Sequence, residues 1–186
     1  GRYHYDFTMA FDREVPLLPV FVWFYILAFP FWAVGYLLAT RRGKDMFYRF
    51  VATDLTIHFI CFICFILIPT TNIRPEIAGN TLSEKLLALV YSLDGGNSPS
   101  NLFPSIHCYV SWMCWKGVEG SEKVPKWYQR FSLVFAILII ISTQVLKQHY
   151  IVDAAAALLL VEFFWRFYQK GQRHKWVVHI FANEKK

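Results

Sequence analysis

Five stretches of the chain lose their polar residues for long enough to be read as membrane segments: about 17–40, 50–69, 104–118, 130–147 and 150–168. The first is the clearest. Leu17 to Thr40 runs 24 positions without a charge, and a helix needs only about 20 residues to cross the hydrocarbon core of a bilayer. The second carries Arg49, Asp54 and His58 near its start and turns apolar from Leu55, while the third is only moderately apolar. The fifth contains Glu162, which is costly in lipid and is expected to face the bundle, paired with a base such as Lys116 or Arg49. The long connection 70–103 holds Thr81-Leu82-Ser83-Glu84 ahead of an apolar run to Leu93. That capping-box pattern predicts a short amphipathic helix over 81–93, lying along the membrane surface. Asp94-Gly95-Gly96-Asn97-Ser98-Pro99 reads as a turn after it. The expected fold is all-α: a polytopic membrane helix bundle of five membrane helices plus one interfacial helix.

Composition strengthens this reading. The chain is 56% hydrophobic and 19% aromatic, more than a soluble domain of 186 residues ordinarily carries. A net charge of +6 does not point to nucleic acid, because the basic residues flank the apolar segments. Fourteen of the 19 lysines and arginines fall in the 41–49 loop, the 116–130 loop and the end of the chain from Arg166. Those regions are expected to be cytoplasmic. The other five, Arg2, Arg13, Arg74, Lys85 and Lys147, fall on the opposite side. The domain plan is a single membrane-embedded unit over 1–186. It has an external segment 1–16, an external loop 70–103 and a basic cytoplasmic tail 169–186. The same count leaves Gly1 outside, which leads to the expectation of a further helix before it. Cys61-Phe62-Ile63-Cys64 has CxxC spacing but lies inside an apolar run, so the cysteines are read as helix residues, with neither a disulfide framework nor a metal site.

Orientation gives the polar residues their interest. Arg74 follows the outer end of the second segment, Ser105 and His107 open the third, and Lys147, His149 and Asp153 lie where the fourth ends and the fifth begins. All of them are expected at one external face. His149 and Asp153 sit at i and i+4 on one helical face, where the aspartate can fix the imidazole tautomer and leave the other nitrogen nucleophilic. The same pair also suits a plain capping or packing role. Pro104-Ser105-Ile106-His107 starts a helix whose free N–H groups and dipole favour an anion, with His107 placed to act as a general acid. An ordinary helix start with an interfacial histidine fits these residues too. Arg74 is a planar cation suited to phosphate, or an arginine reaching for headgroups. Lys147 has the same two readings, and Thr70, Thr71 and Asn72 are further donors or simple loop residues.

Taken in this order and on one face, these pieces resemble the type-2 phosphatidic acid phosphatase superfamily of integral membrane enzymes. Its three motifs are K-x6-R-P, P-S-G-H and S-R-x5-H-x3-D. Here they stand as Arg74-Pro75, Pro104-Ser105-Ile106-His107, and Ser142-Thr143 through His149 to Asp153. The resemblance implies a six-helix bundle, a phosphohistidine on His149 supported by Asp153, protonation of the leaving group by His107, and phosphoryl oxygens held by Arg74 and Ser105. It implies no metal or other cofactor. Leu67, Ile106 and Thr143 depart from the family's lysine, glycine and arginine; Lys147, one turn past Thr143, is the candidate replacement cation if the helix continues that far. The P-S-I-H form looks closest to the branch of inositol phosphorylceramide synthases. The expected function is a lipid-phosphate phosphatase with an external active site. Two alternatives are a phosphotransferase passing the headgroup to an alcohol or second-lipid acceptor, and a non-catalytic lipid-binding or transport protein.

Overall fold

The computed structural model describes residues 4–96 and 99–182. Expectations touching Gly1, Arg2, the Asn97-Ser98 pair of the turn, Lys185 and Lys186 lie outside the described residues. Regular structure here is helical: α1 (Ala10–Glu14), α2 (Val22–Ala39), α3 (Lys44–Leu67), α4 (Leu82–Leu93), α5 (Ile106–Val118), α6 (Lys126–Val145), α7 (Ile151–Gln169) and α8 (Lys175–Ala182). Among the described residues, one parallel bridge joins Tyr5 to Thr70.

The five expected segments correspond to α2, α3, α5, α6 and α7, with shifted ends. Three are long and apolar enough to cross a membrane by length and composition: Pro19–Arg42, Lys44–Leu67 and Lys126–Val145. The chain is an integral membrane protein. The second segment begins earlier than its apolar run because Gly43, at φ 96°, breaks the backbone after α2. The new helix then holds Asp45 and Arg49 as an i,i+4 pair at 2.7 Å. α5 is short, yet nine of its 13 residues are buried. It packs against α2, α3, α6 and α7, so its neighbours rather than lipid cover it.

Close approach at the centre relies on small residues. A Cβ on Gly35 of α2 would stand 2.6 Å from Cys114 Sγ and 2.7 Å from its Cβ. Polar side chains inside the bundle face one another. Tyr36 donates to Asp54 Oδ1 at 2.6 Å, His58 Nδ1 lies 3.5 Å from the same oxygen, and the Tyr109 hydroxyl contacts the His58 ring. Glu162 pairs with Lys116 at 2.9 Å and accepts from Trp112 Nε1 at 2.9 Å, which is the expected inward-facing arrangement with a named base.

α4 starts at the expected capping box: Glu84 N donates to Thr81 Oγ1 at 3.2 Å and Thr81 N to Glu84 Oε2 at 3.0 Å. One face, with Leu87 and Tyr91, packs on Val22, Tyr25, Val145 and Leu146, while Leu82, Leu89 and Leu93 are exposed. The region read as a basic tail folds further than expected. α8 packs through Val177 against Ala52 of α3 and Tyr168 of α7, and His174 Nε2 meets Asp45 Oδ1 at 2.9 Å.

Candidate active site

The starts of α5 and α7 and the loop after α3 meet at one end of the bundle. The turn from α6 into α7 is tight. Thr143 O accepts from both Gln148 N at 2.9 Å and His149 N at 3.1 Å, and Lys147 adopts φ 52° to reverse the chain. Tyr150 is extended, and its N–H donates to Asp153 Oδ2 at 2.9 Å, which opens α7. This places Asp153 Oδ2 3.5 Å from His149 Nδ1. That is ion-pair range, longer than a good hydrogen bond. His149 Nδ1 is buried with no hydrogen-bond partner.

Ser105 caps α5 by accepting from Cys108 N at 3.3 Å, and its own N–H donates to Asp153 O at 3.3 Å. The two helix starts are therefore tied directly. His107 follows within the first turn of α5. Its ring stacks on Tyr25 at 4.2 Å between centroids, with Trp32 at 5.0 Å and Phe29 edge-on at 5.8 Å. The His107 and His149 rings are 6.2 Å apart, and His107 Nε2 is buried without a partner. Both rings line a cavity of about 260 Å³, together with Tyr25, Phe29, Trp32 and Asp94.

Arg74 is fully buried at its side chain. Its Nη1 donates to the carbonyls of Asp94 at 2.8 Å, Gly96 at 3.0 Å and Tyr91 at 3.3 Å. Nη2 binds the Asp94 carboxylate and Gln148 Oε1, and the guanidinium lies 4.7 Å over the Tyr91 ring. Burial pushes the Tyr91 phenol up to about 12, so it stays a neutral donor to Leu146 O at 2.7 Å. Only Arg74 Nε is left without a partner. The arginine thus locks the 91–96 turn to the residue next to His149, behind the cavity wall.

Of the sequence-expected residues, His107 and His149 face one space, Asp153 and Ser105 stand directly behind them, and Arg74 reaches the lip through Asp94. Lys147 goes elsewhere. α6 stops at Val145, so the lysine is not on the expected helical face. Its ammonium donates to Asp12 O at 2.6 Å and to Val15 O, and it does not line the cavity. Thr70, Thr71 and Asn72 serve loops: Thr70 Oγ1 accepts from Leu102 N and Phe103 N, Thr71 donates to Pro99 O, and Asn72 donates to Lys147 O. Sequence reading missed Asp94, Gln148 and the aromatic wall of α2. Gln148 carried a signal in its position beside His149; Asp94 looked like an ordinary turn residue. Among the described residues no group of three His, Cys, Asp or Glu is arranged to hold a metal ion.

A family model described as the PAP2 superfamily matches residues 4–166, which includes every element lining the cavity. No curated protein and no solved structure matches the chain.

Proposed function

Because the chain belongs to the PAP2 superfamily, whose members are generally phosphatases and phosphotransferases, we propose that it hydrolyses a lipid phosphate through a phosphohistidine on His149, at the extracytoplasmic end of the bundle. The observation that carries this reading is the pair of histidines opening on one cavity, 6.2 Å between ring centroids, with Asp153 3.5 Å behind His149. With Nδ1 turned to Asp153, Nε2 is the nitrogen left to attack phosphorus. Asp153 then stabilises the imidazolium that forms. The bond to the leaving oxygen breaks as His107 hands it a proton. In the second half-reaction a water gives one of its own protons to His107 as its oxygen attacks phosphorus, freeing His149 and releasing phosphate.

Charge stabilisation comes from the amino-terminal N–H groups of α5, the Ser105 hydroxyl and Arg74. Arg74 reaches a phosphate by exchanging the Asp94 carboxylate for it, one anion replacing another on the same guanidinium. Lys147 has a supporting part in this reading: it anchors residues 12–15 against the α6–α7 turn. The extracytoplasmic assignment follows from the basic loops at the opposite end of the bundle.

The aromatic wall of Tyr25, Phe29 and Trp32 supports a second outcome of the same first step. It limits water around the phosphohistidine, which favours attack by an alcohol or second-lipid hydroxyl. The test is a screen of purified protein against lipid phosphates and phosphodiesters, with and without alcohol acceptors. Release of phosphate or headgroup without an acceptor supports hydrolysis, and product that needs the acceptor supports transfer. Tight lipid binding with no turnover of any substrate would leave only a binding protein.

A further inference from the structure

At the far end of α7 from His149, one helical face carries Leu159, Phe163, Arg166 and Phe167, spaced at i, i+4, i+7 and i+8, and Lys170 follows directly after the helix end. Leu159 and Phe163 are 70% and 62% exposed. Together with Arg173 this face forms a cavity of about 420 Å³, apolar on its α7 wall and basic on its rim. The Arg173 guanidinium lies 4.2 Å over the Phe167 ring while its Nη1 donates to Phe167 O at 3.3 Å. Glu162 also lines the space, but its carboxylate is engaged by Lys116 at 2.9 Å and Trp112 at 2.9 Å, with Arg166 at 3.4 Å. The rim is therefore strongly cationic. Leu159 and Phe163 belong as well to a second, apolar groove of about 390 Å³ that runs between α3 and α7 past Ile60 and Cys64 to Pro104.

Charge and continuity together define the occupant. A basic rim at the end of an apolar track, on a helix set in a bilayer, matches a phosphate headgroup with acyl chains above it. We propose that this face binds an anionic phospholipid of the cytoplasmic leaflet, with its phosphate held by Arg166, Lys170 and Arg173 and its chains along Leu159 and Phe163 into the α3–α7 groove. The site is separate from the catalytic cavity: Asp153 and Arg166 are about 20 Å apart along α7 at 1.5 Å per residue. The bound lipid would brace α7 against α3 from the end opposite His149.

The test reconstitutes the full chain into vesicles of equal phosphatidylglycerol and phosphatidylcholine, extracts it in mild detergent, and measures the co-purifying lipids by native mass spectrometry. The wild type is expected to retain phosphatidylglycerol over phosphatidylcholine by at least tenfold, and high salt should reduce that ratio. Arg166→Gln with Lys170→Gln, which spares the Arg173 contacts to α7, should bring the ratio near one. Arg130→Gln, which removes a basic residue in the first turns of α6, should leave it unchanged. Equal retention of the two lipids by the wild type would overturn the proposal, as would a preference that survives the double variant. So would a dimer that the double variant dissociates, because a second copy would then cover the face. None of these readouts depends on turnover, so the result stands whether or not the phosphatase reading holds.

Discussion

Arg74 donates to three backbone carbonyls and two side chains from a fully buried position, and its one close counter-charge is Asp94. Two predictions follow from that arrangement at the level of single residues. Arg74→Met would leave those carbonyls without their donor, at about 1–3 kcal/mol of stability; a thermal unfolding series in detergent should show a clear loss of Tm. Asp94→Asn acts differently, because it leaves the fully buried guanidinium without its counter-charge and so open to a bound anion. KM for an anionic lipid should fall several-fold at similar kcat, since no carboxylate competes for Arg74. A large fall in kcat with KM unchanged would show instead that Asp94 takes part in the chemistry. The order of Arg74, His107, His149 and Asp153 was readable because each lies at a segment end. Asp94 was not, since its partner is 20 positions away in sequence and nothing local distinguishes it from any turn aspartate.

Elements explain where the helical spacing argument stopped working. Lys147 was placed one turn past Thr143 on a continuing helix, but α6 ends at Val145 and the left-handed Lys147 aims its ammonium at α1. Periodicity describes a helix and cannot say where a turn reverses it. The capping box of α4 was readable because its partners are three residues apart. Thr81→Ala should cost about 1 kcal/mol, seen as a lower Tm with kcat nearly unchanged. The α2–α5 contact gives a sharper prediction. Gly35→Ala places a methyl 2.6 Å from Cys114 Sγ, and overpacking of that kind costs about 1–3 kcal/mol. Gly35→Ala combined with Cys114→Ala should recover much of the loss; no recovery would mean that α2 and α5 do not meet as described.

For the whole molecule, hydropathy and charge bias made the bundle and its two ends legible. They did not reveal how the ends are closed. The packing of α8 on α3 rests on His174 meeting Asp45 and on Arg49 donating to Tyr168 O at 2.7 Å, contacts between residues more than 100 positions apart. The expected sidedness is directly measurable. A cysteine at Ser92, exposed on α4, should react with an impermeant maleimide from outside intact cells. One at Glu122, in the loop between α5 and α6, should react only after permeabilisation. The reverse pattern would place the catalytic cavity on the cytoplasmic side and overturn the extracytoplasmic reading.

The central claim is that His149 carries the phosphoryl group, and trapping that species tests it most directly. Purified protein mixed with lipid labelled at its phosphate and quenched within milliseconds should yield a labelled chain, acid-labile and base-stable as a phosphohistidine is, with the label on the peptide containing His149. His149→Ala should abolish the label, and His107→Ala should lower its rate of formation. A labelled chain in the His149→Ala variant, or full turnover by that variant, would contradict the account.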